Sequence, residues 1–192
     1  MLAYVFWHER RVDANDGEYQ RDAAEFQSRL VEARLDGFAG ARTFAIEPLP
    51  WGDTSAAFED WYLLRGSADL DELNDLAVSG ARSAPHDRLA AAAAWGAGGL
   101  YRLRSGDARR SDADAQWFAK PAGMSFGQLD GLVASALSPE HALWQRQMVL
   151  GPAPEFCLTA PGLVALPPPF ESRGVRRRLL AGITRTSAIV QS

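Results

Sequence analysis

Histidine is the side chain best suited to move a proton near neutral pH, and this chain has His8, His86 and His141. His8 ends the run Tyr4-Val5-Phe6-Trp7-His8. In an extended backbone Tyr4, Phe6 and His8 share one face and Val5 and Trp7 the other. Both faces are partly apolar, so the segment is expected to be buried on both sides. His8 then either lines a cavity as an acid–base group or satisfies a hydrogen bond in the core. His86 follows Pro85 at the opening of an alanine-rich segment. It either faces a ligand as proton donor or acceptor, or joins Asp87 in capping the first helical turn. His141 follows Ser138-Pro139-Glu140 and is expected in solvent.

Other groups add binding rather than reaction. The chain has 6 tryptophans, each a large apolar surface with one N–H that wants a partner. Most are expected in the core, while Trp7 and Trp61 are candidates for lining a cavity that takes an aromatic ligand. In "WQRQMVL" Trp144, Arg146 and Met148 share a face. Arg146 turned inward would need partners or a polar ligand, whereas an edge strand with one wet face would leave it in solvent. Cys157, in an apolar run, is expected to pack rather than attack. No His-x-x-x-His or comparable cluster spells a metal site, so no metal is expected. "GAGGL" (96–100) precedes a strand instead of joining a strand to a helix, so it is not read as a phosphate loop. There is no Gly-x-Ser-x-Gly elbow.

The elements that must position these groups follow from periodicity and punctuation. Residues 2–9 read as a strand. In the next segment Tyr19, Ala23, Phe26, Leu30 and Ala33 form one helical stripe, ended by Gly37. "ARTFAIEPL" and "AFEDWYLLRG" read as strands. "DLDELNDLAVSG" reads as a helix with Asp69 and Glu72 as its capping box, and "PHDRLAAAAAWG" as a helix from Pro85 to Gly96. "GLYRLR" is a fourth strand. Residues 105–114, polar apart from alanine, read as a linker. The second half repeats the order: strand "QWFAK", helix "SFGQLDGLVASAL" with Ser125 and Gln128 as capping box, strands "LWQRQMVL" and "EFCLTAPGLVAL", helix "ESRGVRRRLLAG" and strand "ITRTSAIV". Trp61-Tyr62 and Trp117-Phe118 precede Leu73 and Leu129 by the same interval, a faint internal echo. The expected fold class is α+β: two tandem ferredoxin-like βαββαβ units, residues 1–104 and 115–192, closing their bare sheet faces into an intramolecular barrel.

Within "EDWYLLRGSADLDELNDLAVSGARSAPHDRLA" a strand (Asp60–Leu64), an acidic, leucine-bearing helix (Asp69–Leu76) and Ala84-Pro85-His86 near a second helix occur in order. This stretch resembles the antibiotic-biosynthesis-monooxygenase-like branch of the dimeric α+β barrel superfamily. Asn74 stands where relatives often carry histidine. The resemblance implies a small, aromatic or apolar ligand held in the barrel, and a cofactor-free oxygenase, cyclase or isomerase. His86 or His8 would be the acid–base group, Asn74 an orienting amide, and Trp61, Trp7 and Arg146 ligand contacts. A non-catalytic binding or scaffolding protein of the same fold is the alternative. A haem-binding or haem-degrading protein is a further one, since Asn74, Trp61 and His86 match in type a set found in haem-degrading members.

Composition bounds the partners. The net charge is −4, so no general nucleic-acid surface is expected. One cysteine points to a reducing, cytoplasmic setting. The N-terminus is charged too early for a signal peptide, and no apolar run nears the roughly 20 residues a membrane helix needs. A barrel closed within one chain predicts a monomer or weak homodimer, with neither cofactor nor membrane partner. The arginine-rich segment 167–192 is expected to dock, with Val175, Leu179 and Leu180 inward and its arginines facing solvent or nearby carboxylates.

Overall fold

The computed structural model describes residues 1–47, 49, 51, 57–108 and 114–184. Within them the chain forms eight strands and four helices: β1 (Leu2–Arg10), α1 (Asp16–Glu32), β2 (Phe38–Glu47), β3 (Ala57–Leu64), α2 (Asp69–Ala77), α3 (Ser83–Ala92), β4 (Ala93–Gly106), β5 (Asp114–Phe118), α4 (Phe126–Ala134), β6 (Ala142–Leu150), β7 (Phe156–Ala160) and β8 (Ser172–Thr184). A short 3₁₀ turn, Gly80–Arg82, joins α2 to α3. All strand pairs are antiparallel, and they close a barrel in the order β1-β3-β2-β8-β5-β7-β6-β4.

Alternation decides what lies inside. From β1, Ala3, Val5 and Trp7 point into the barrel; from β3, Ala57, Trp61 and Leu63 do the same. Trp117, Trp144, Tyr101 and Phe44 fill the rest of the interior, with Trp7, Trp61, Trp117 and Tyr101 in edge-on or tilted contact. One ion pair is enclosed there. Arg177 Nη1 donates to Glu59 Oε1 at 2.9 Å with both side chains fully buried. Trp7 Nε1 and Trp61 Nε1 donate to the same carboxylate at 2.9 and 2.6 Å, and the guanidinium lies over the Phe44 ring. A buried charge persists only when paired and hydrogen-bonded, and here both conditions hold.

Several sequence expectations are corrected. Residues 93–96 are strand, not helix. β4 pairs with β1 from Ala93 to Arg102, His8 facing Gly96 and Arg10 facing Ala93, so ladder bonds outweigh the helix propensity of the alanine run. A Cβ at Gly96 would lie 2.6 Å from Phe6 Cζ, and one at Gly98 2.6 Å from Tyr4 Oη; the glycines leave room for rings lying across the strand. The segment 172–182 is a strand rather than a helix and runs on into the expected strand at 183–184: β8 pairs with both β2 and β5 and closes the barrel. Its Val175 is buried as expected, but Leu179 is 46% exposed while Arg177 turns inward. No helix intervenes between β7 and β8, so the last four strands follow the order β-α-β-β-β. α2 has no Asp69–Glu72 capping box; its N-cap is Ala68, and Asp69 Oδ2 instead accepts from the Gly66 amide at 2.7 Å. The Ser125–Gln128 capping box of α4 is present. The tryptophan echo relates β3 to β5, which are not equivalent positions in the strand order; Trp7 on β1 is the positional counterpart of Trp117. Of the linker, residues 109–113 lie outside the described residues, as do 185–190 of the last expected strand. No helix of the described residues is long and apolar enough to cross a membrane.

Candidate functional site

On its outer face the β1–β3–β4 part of the barrel is covered by α1, α2 and α3, and the layer between them holds a cavity of about 550 Å³. Its walls are mostly apolar: Phe6, Phe26, Leu30, Leu70, Leu73 and Leu89 are among the lining residues. Its polar groups come from strand positions that alternation turns outward, Tyr4 and His8 on β1 and Asp60 and Tyr62 on β3, with Tyr19 added by α1. A cavity of this size, apolar with a few converging polar groups, is the usual form of a small-molecule site.

His8 is held on every side. Its ring stacks on Phe6 and on Phe58, the residue opposite it in β3. Nδ1 lies 2.6 Å from Tyr19 Oη, and Nε2 lies 3.4 Å from Asp60 Oδ2. Nε2 is buried and makes no hydrogen bond to protein. A neutral ring protonated on Nδ1 would aim the Nε2 lone pair at the carboxylate. The other tautomer avoids this repulsion: Tyr19 donates to Nδ1, and Nε2 carries the proton beside Asp60. Asp60, also buried, is held in turn. Thr43 Oγ1 donates to its Oδ1 at 2.6 Å and Tyr62 Oη to its Oδ2 at 3.0 Å, while Gln27 Nε2 donates to Tyr62 Oη at 3.2 Å. Burial, then the charge of Asp60, raises the hydroxyl pKa values of Tyr62, Tyr19 and Tyr4 above the ordinary tyrosine value. These phenols therefore stay protonated and serve as donors. The arrangement can take a proton from a bound hydroxyl onto the His8–Asp60 pair and hold the resulting oxyanion with the Nε2 proton.

The three residues singled out as acid–base or orienting groups, His8, His86 and Asn74, all line this one cavity. His8 is at the polar end. His86, in the first turn of α3, has its side chain 36% exposed, touches Asp87 at 3.2 Å and lies against the Phe26 ring; α3 has no side-chain cap bond. Asn74 is on the solvent-exposed rim of α2. The residues named as ligand contacts are elsewhere. Trp7 and Trp61 point into the filled barrel, on the other side of the sheet from the cavity. Arg146 donates to the Ala153 carbonyl at 2.8 Å near the end of β6 and does not line the cavity. β6 pairs with β4 and β7, so it is not an edge strand. Cys157 is buried, and burial pushes its thiol pKa well up, away from nucleophilic use. Among the described residues, no group of three His, Cys, Asp or Glu side chains is placed to hold a metal ion.

Asp60, Tyr19, Tyr62 and Thr43 were not anticipated as site residues. A signal existed for one of them: in "AFEDWYLL" Asp60 breaks an apolar face that it shares with Phe58 and Tyr62.

No family model matches the chain, and no curated protein matches it in sequence. Among solved structures, a monooxygenase-like protein of Fusobacterium nucleatum superposes with a TM-score of 0.61 at 9% identity, covering 96% of this chain and 94% of that one. An anthrone oxidase-like protein gives 0.56 at 11%, covering 95% and 92%. A monooxygenase-like protein of Lactobacillus acidophilus gives 0.53 at 9%, covering 96% and 99%. This chain has the α+β barrel fold of these proteins. At such identities the likeness is one of fold, and the α+β barrel leaves the chemistry to the residues of the cavity.

Proposed function

We propose that this α+β barrel is an acid–base enzyme for a small, flat, mostly apolar molecule carrying a phenolic or enolic hydroxyl. The observation that carries the reading is the His8–Asp60 pair, buried at the polar end of an apolar cavity with one ring nitrogen unpartnered. The hydroxyl donates to Asp60 Oδ2 and loses its proton to that carboxylate. His8 Nε2–H stays as donor to the oxyanion, and Tyr19 fixes the ring that presents it. The electron-rich ring is then able to react with dioxygen. For an anthrone bound as its enol, one dioxygen is consumed per ring, two hydrogens leave with one oxygen atom as water, and the other oxygen atom becomes the new quinone carbonyl. The names of the neighbours favour this oxygenase form over cyclase or isomerase chemistry. His86 and Asn74 at the rim would contact the outer end of the ligand.

The two halves β1–β4 and β5–β8 have equivalent strand orders, β4-β1-β3-β2 and β8-β5-β7-β6. This supports reading residues 1–104 and 115–192 as two ferredoxin-like units, the second without its last helix. Because β2 with β8 and β4 with β6 close the barrel inside one chain, the proposed state in solution is a monomer.

Oxygen uptake with anthrone tests the function. The wild-type chain should consume one dioxygen per anthrone, and His8→Gln should lose about a hundredfold or more of the rate. Absence of both oxygen uptake and catalysed deuterium exchange on the ring would overturn the reading; exchange without uptake would leave the acid–base step and remove the oxygenase.

A further inference from the structure

We infer that Asp60 is a specificity-determining residue that makes the cavity refuse anions, so that the ligand enters with its acidic groups absent or masked. The inference rests on the cavity being the ligand site. Among the described residues, the lining contains one carboxylate, Asp60, and two histidines, and no lysine or arginine. Arg10, whose charge reaches Tyr19, is engaged elsewhere. It pairs with Asp16 and donates to the backbone carbonyls of Arg11 and Ala14. A ligand carboxylate or phosphate at the polar end would therefore lie against Asp60 with only His8 to offset it. Protonated His8 does not serve, because its Nε2 lies 3.4 Å from Asp60, which already takes up that charge. Two acidic groups sharing one buried site cannot both ionise without a large penalty. Thr43 and Tyr62 each direct their hydroxyl proton to Asp60, so neither is free to hold a second anion.

The same geometry accepts a neutral hydroxyl. It can donate to Asp60 Oδ2 and receive the Nε2 proton of His8, which satisfies a buried ring nitrogen left without a hydrogen bond to protein. A methyl ether can receive but not donate, and leaves the carboxylate with nothing in exchange for the water it loses. The predicted order is hydroxyl first, ether second, carboxylate last.

The test uses the full-length chain and three probes of one size at neutral pH: α-naphthol, its methyl ether and α-naphthoate, each titrated calorimetrically. α-Naphthol should bind about tenfold or more tighter than α-naphthoate, with the ether between them. Asp60→Asn keeps the shape and removes the charge, and should bring naphthol and naphthoate to within about threefold. The wild-type ranking stands as a test even if that variant fails to fold. Naphthoate binding as tightly as naphthol overturns the inference and leaves the proposed acid–base role standing. A preference for naphthol that survives unchanged in Asp60→Asn removes Asp60 as its source. If none of the three binds, both the inference and the proposed function fall.

Discussion

Over β1 and β3, the layer between sheet and helices carries Tyr4, His8, Asp60 and Tyr62 and encloses a cavity. Over β5 and β7 the corresponding layer carries Phe118, Phe156 and Leu158, packed with Leu129 and Val133 of α4. There Phe118 stacks on Phe156 with ring centres 5.3 Å apart and meets Phe170 edge-on at 5.5 Å. The first layer is roofed by three helices. The second has one, and the stretch before β8 supplies the rest of its cover. Gln116 fixes that cover: its side chain donates to the Val164 carbonyl and Ser172 Oγ and accepts from the Val164 amide. The difference teaches how one barrel divides its labour. The half whose outer face carries Phe118, Phe156 and Leu158 buries them against α4 and Phe170. The half with hydroxyls, an imidazole and a carboxylate there keeps space beside them. Polar groups on an outer face need either partners or a ligand.

The largest expected effect comes from the contact that ties the halves together. Glu59 belongs to β3 and Arg177 to β8, and their ion pair is fully buried. Glu59→Gln or Arg177→Met alone should cost about 3–5 kcal/mol in chemical denaturation, because each breaks a buried ion pair by removing one of its members. The double variant Glu59→Gln, Arg177→Met should recover a good part of that loss. Single variants costing less than about 1 kcal/mol would mean that water reaches the pair, and that the barrel interior is less dry than its tryptophans imply.

That pair also shows where sequence reading reached its limit. The alternation in Tyr4–His8 was enough to predict a strand buried on both faces, and the same alternation forbids Trp7 and His8 from lining one cavity. Placing Trp7 beside His8 as a ligand contact ignored that rule. Arg176-Arg177-Arg178 gave no such clue. Three adjacent cations read as a helix whose arginines face solvent or nearby carboxylates, and only the partner 118 positions away explains why the middle one is inside. The barrel and the cluster of His8, His86 and Asn74 were legible because they rest on local periodicity and element order. Asp60, Tyr19 and Thr43 were not, because each has a complete local role, in strand, helix stripe and strand, and becomes a site residue only through register.

A second comparison is between the two outer layers themselves. Phe156→Ala opens a void in a filled layer and should cost about 3–5 kcal/mol. Phe6→Ala removes a ring beside space that already exists, and should cost less than half as much while changing ligand affinity. Equal losses at the two positions would show that the cavity collapses in solution and that the layers do not differ.

Alkaline titration distinguishes the layers more finely. Tyr4, Tyr19 and Tyr62 belong to the cavity layer, and their hydroxyl pKa values are raised in the fold. Below the ordinary tyrosine value of 10.0 both states hold these protons, and their stabilising effect is complete. Above it the unfolded chain releases them while the folded chain keeps them. The unfolded state then binds fewer protons, and stability falls as pH rises, by about 1.4 kcal/mol per pH unit for each such group until its folded pKa is passed. Tyr62→Phe should remove one group from that slope above pH 10. An unchanged slope would mean that Tyr62 already ionises at its ordinary value.

The smallest effects concern the helix ends. Asn15 caps α1 by accepting from the Glu18 amide at 3.0 Å, and Ser125 caps α4 with a full capping box. The two helices at the cavity rim, α2 and α3, have no side-chain cap. Asn15→Ala and Ser125→Ala should each cost about 1 kcal/mol. Ala68→Ser should gain nothing at α2, because Ala68 has helical backbone angles, φ −62 and ψ −30, and a capping hydroxyl needs an extended residue to reach the free amides. α2 also buries only Leu73. Its amides should therefore exchange through openings that leave α1 and α4 closed, which gives a ligand a way past Leu70 and Leu73 into the cavity. Exchange in α2 as slow as in α4, or a gain from Ala68→Ser as large as the loss from Ser125→Ala, would make α2 a fixed wall and move the way in to the rim beside His86 and Trp95.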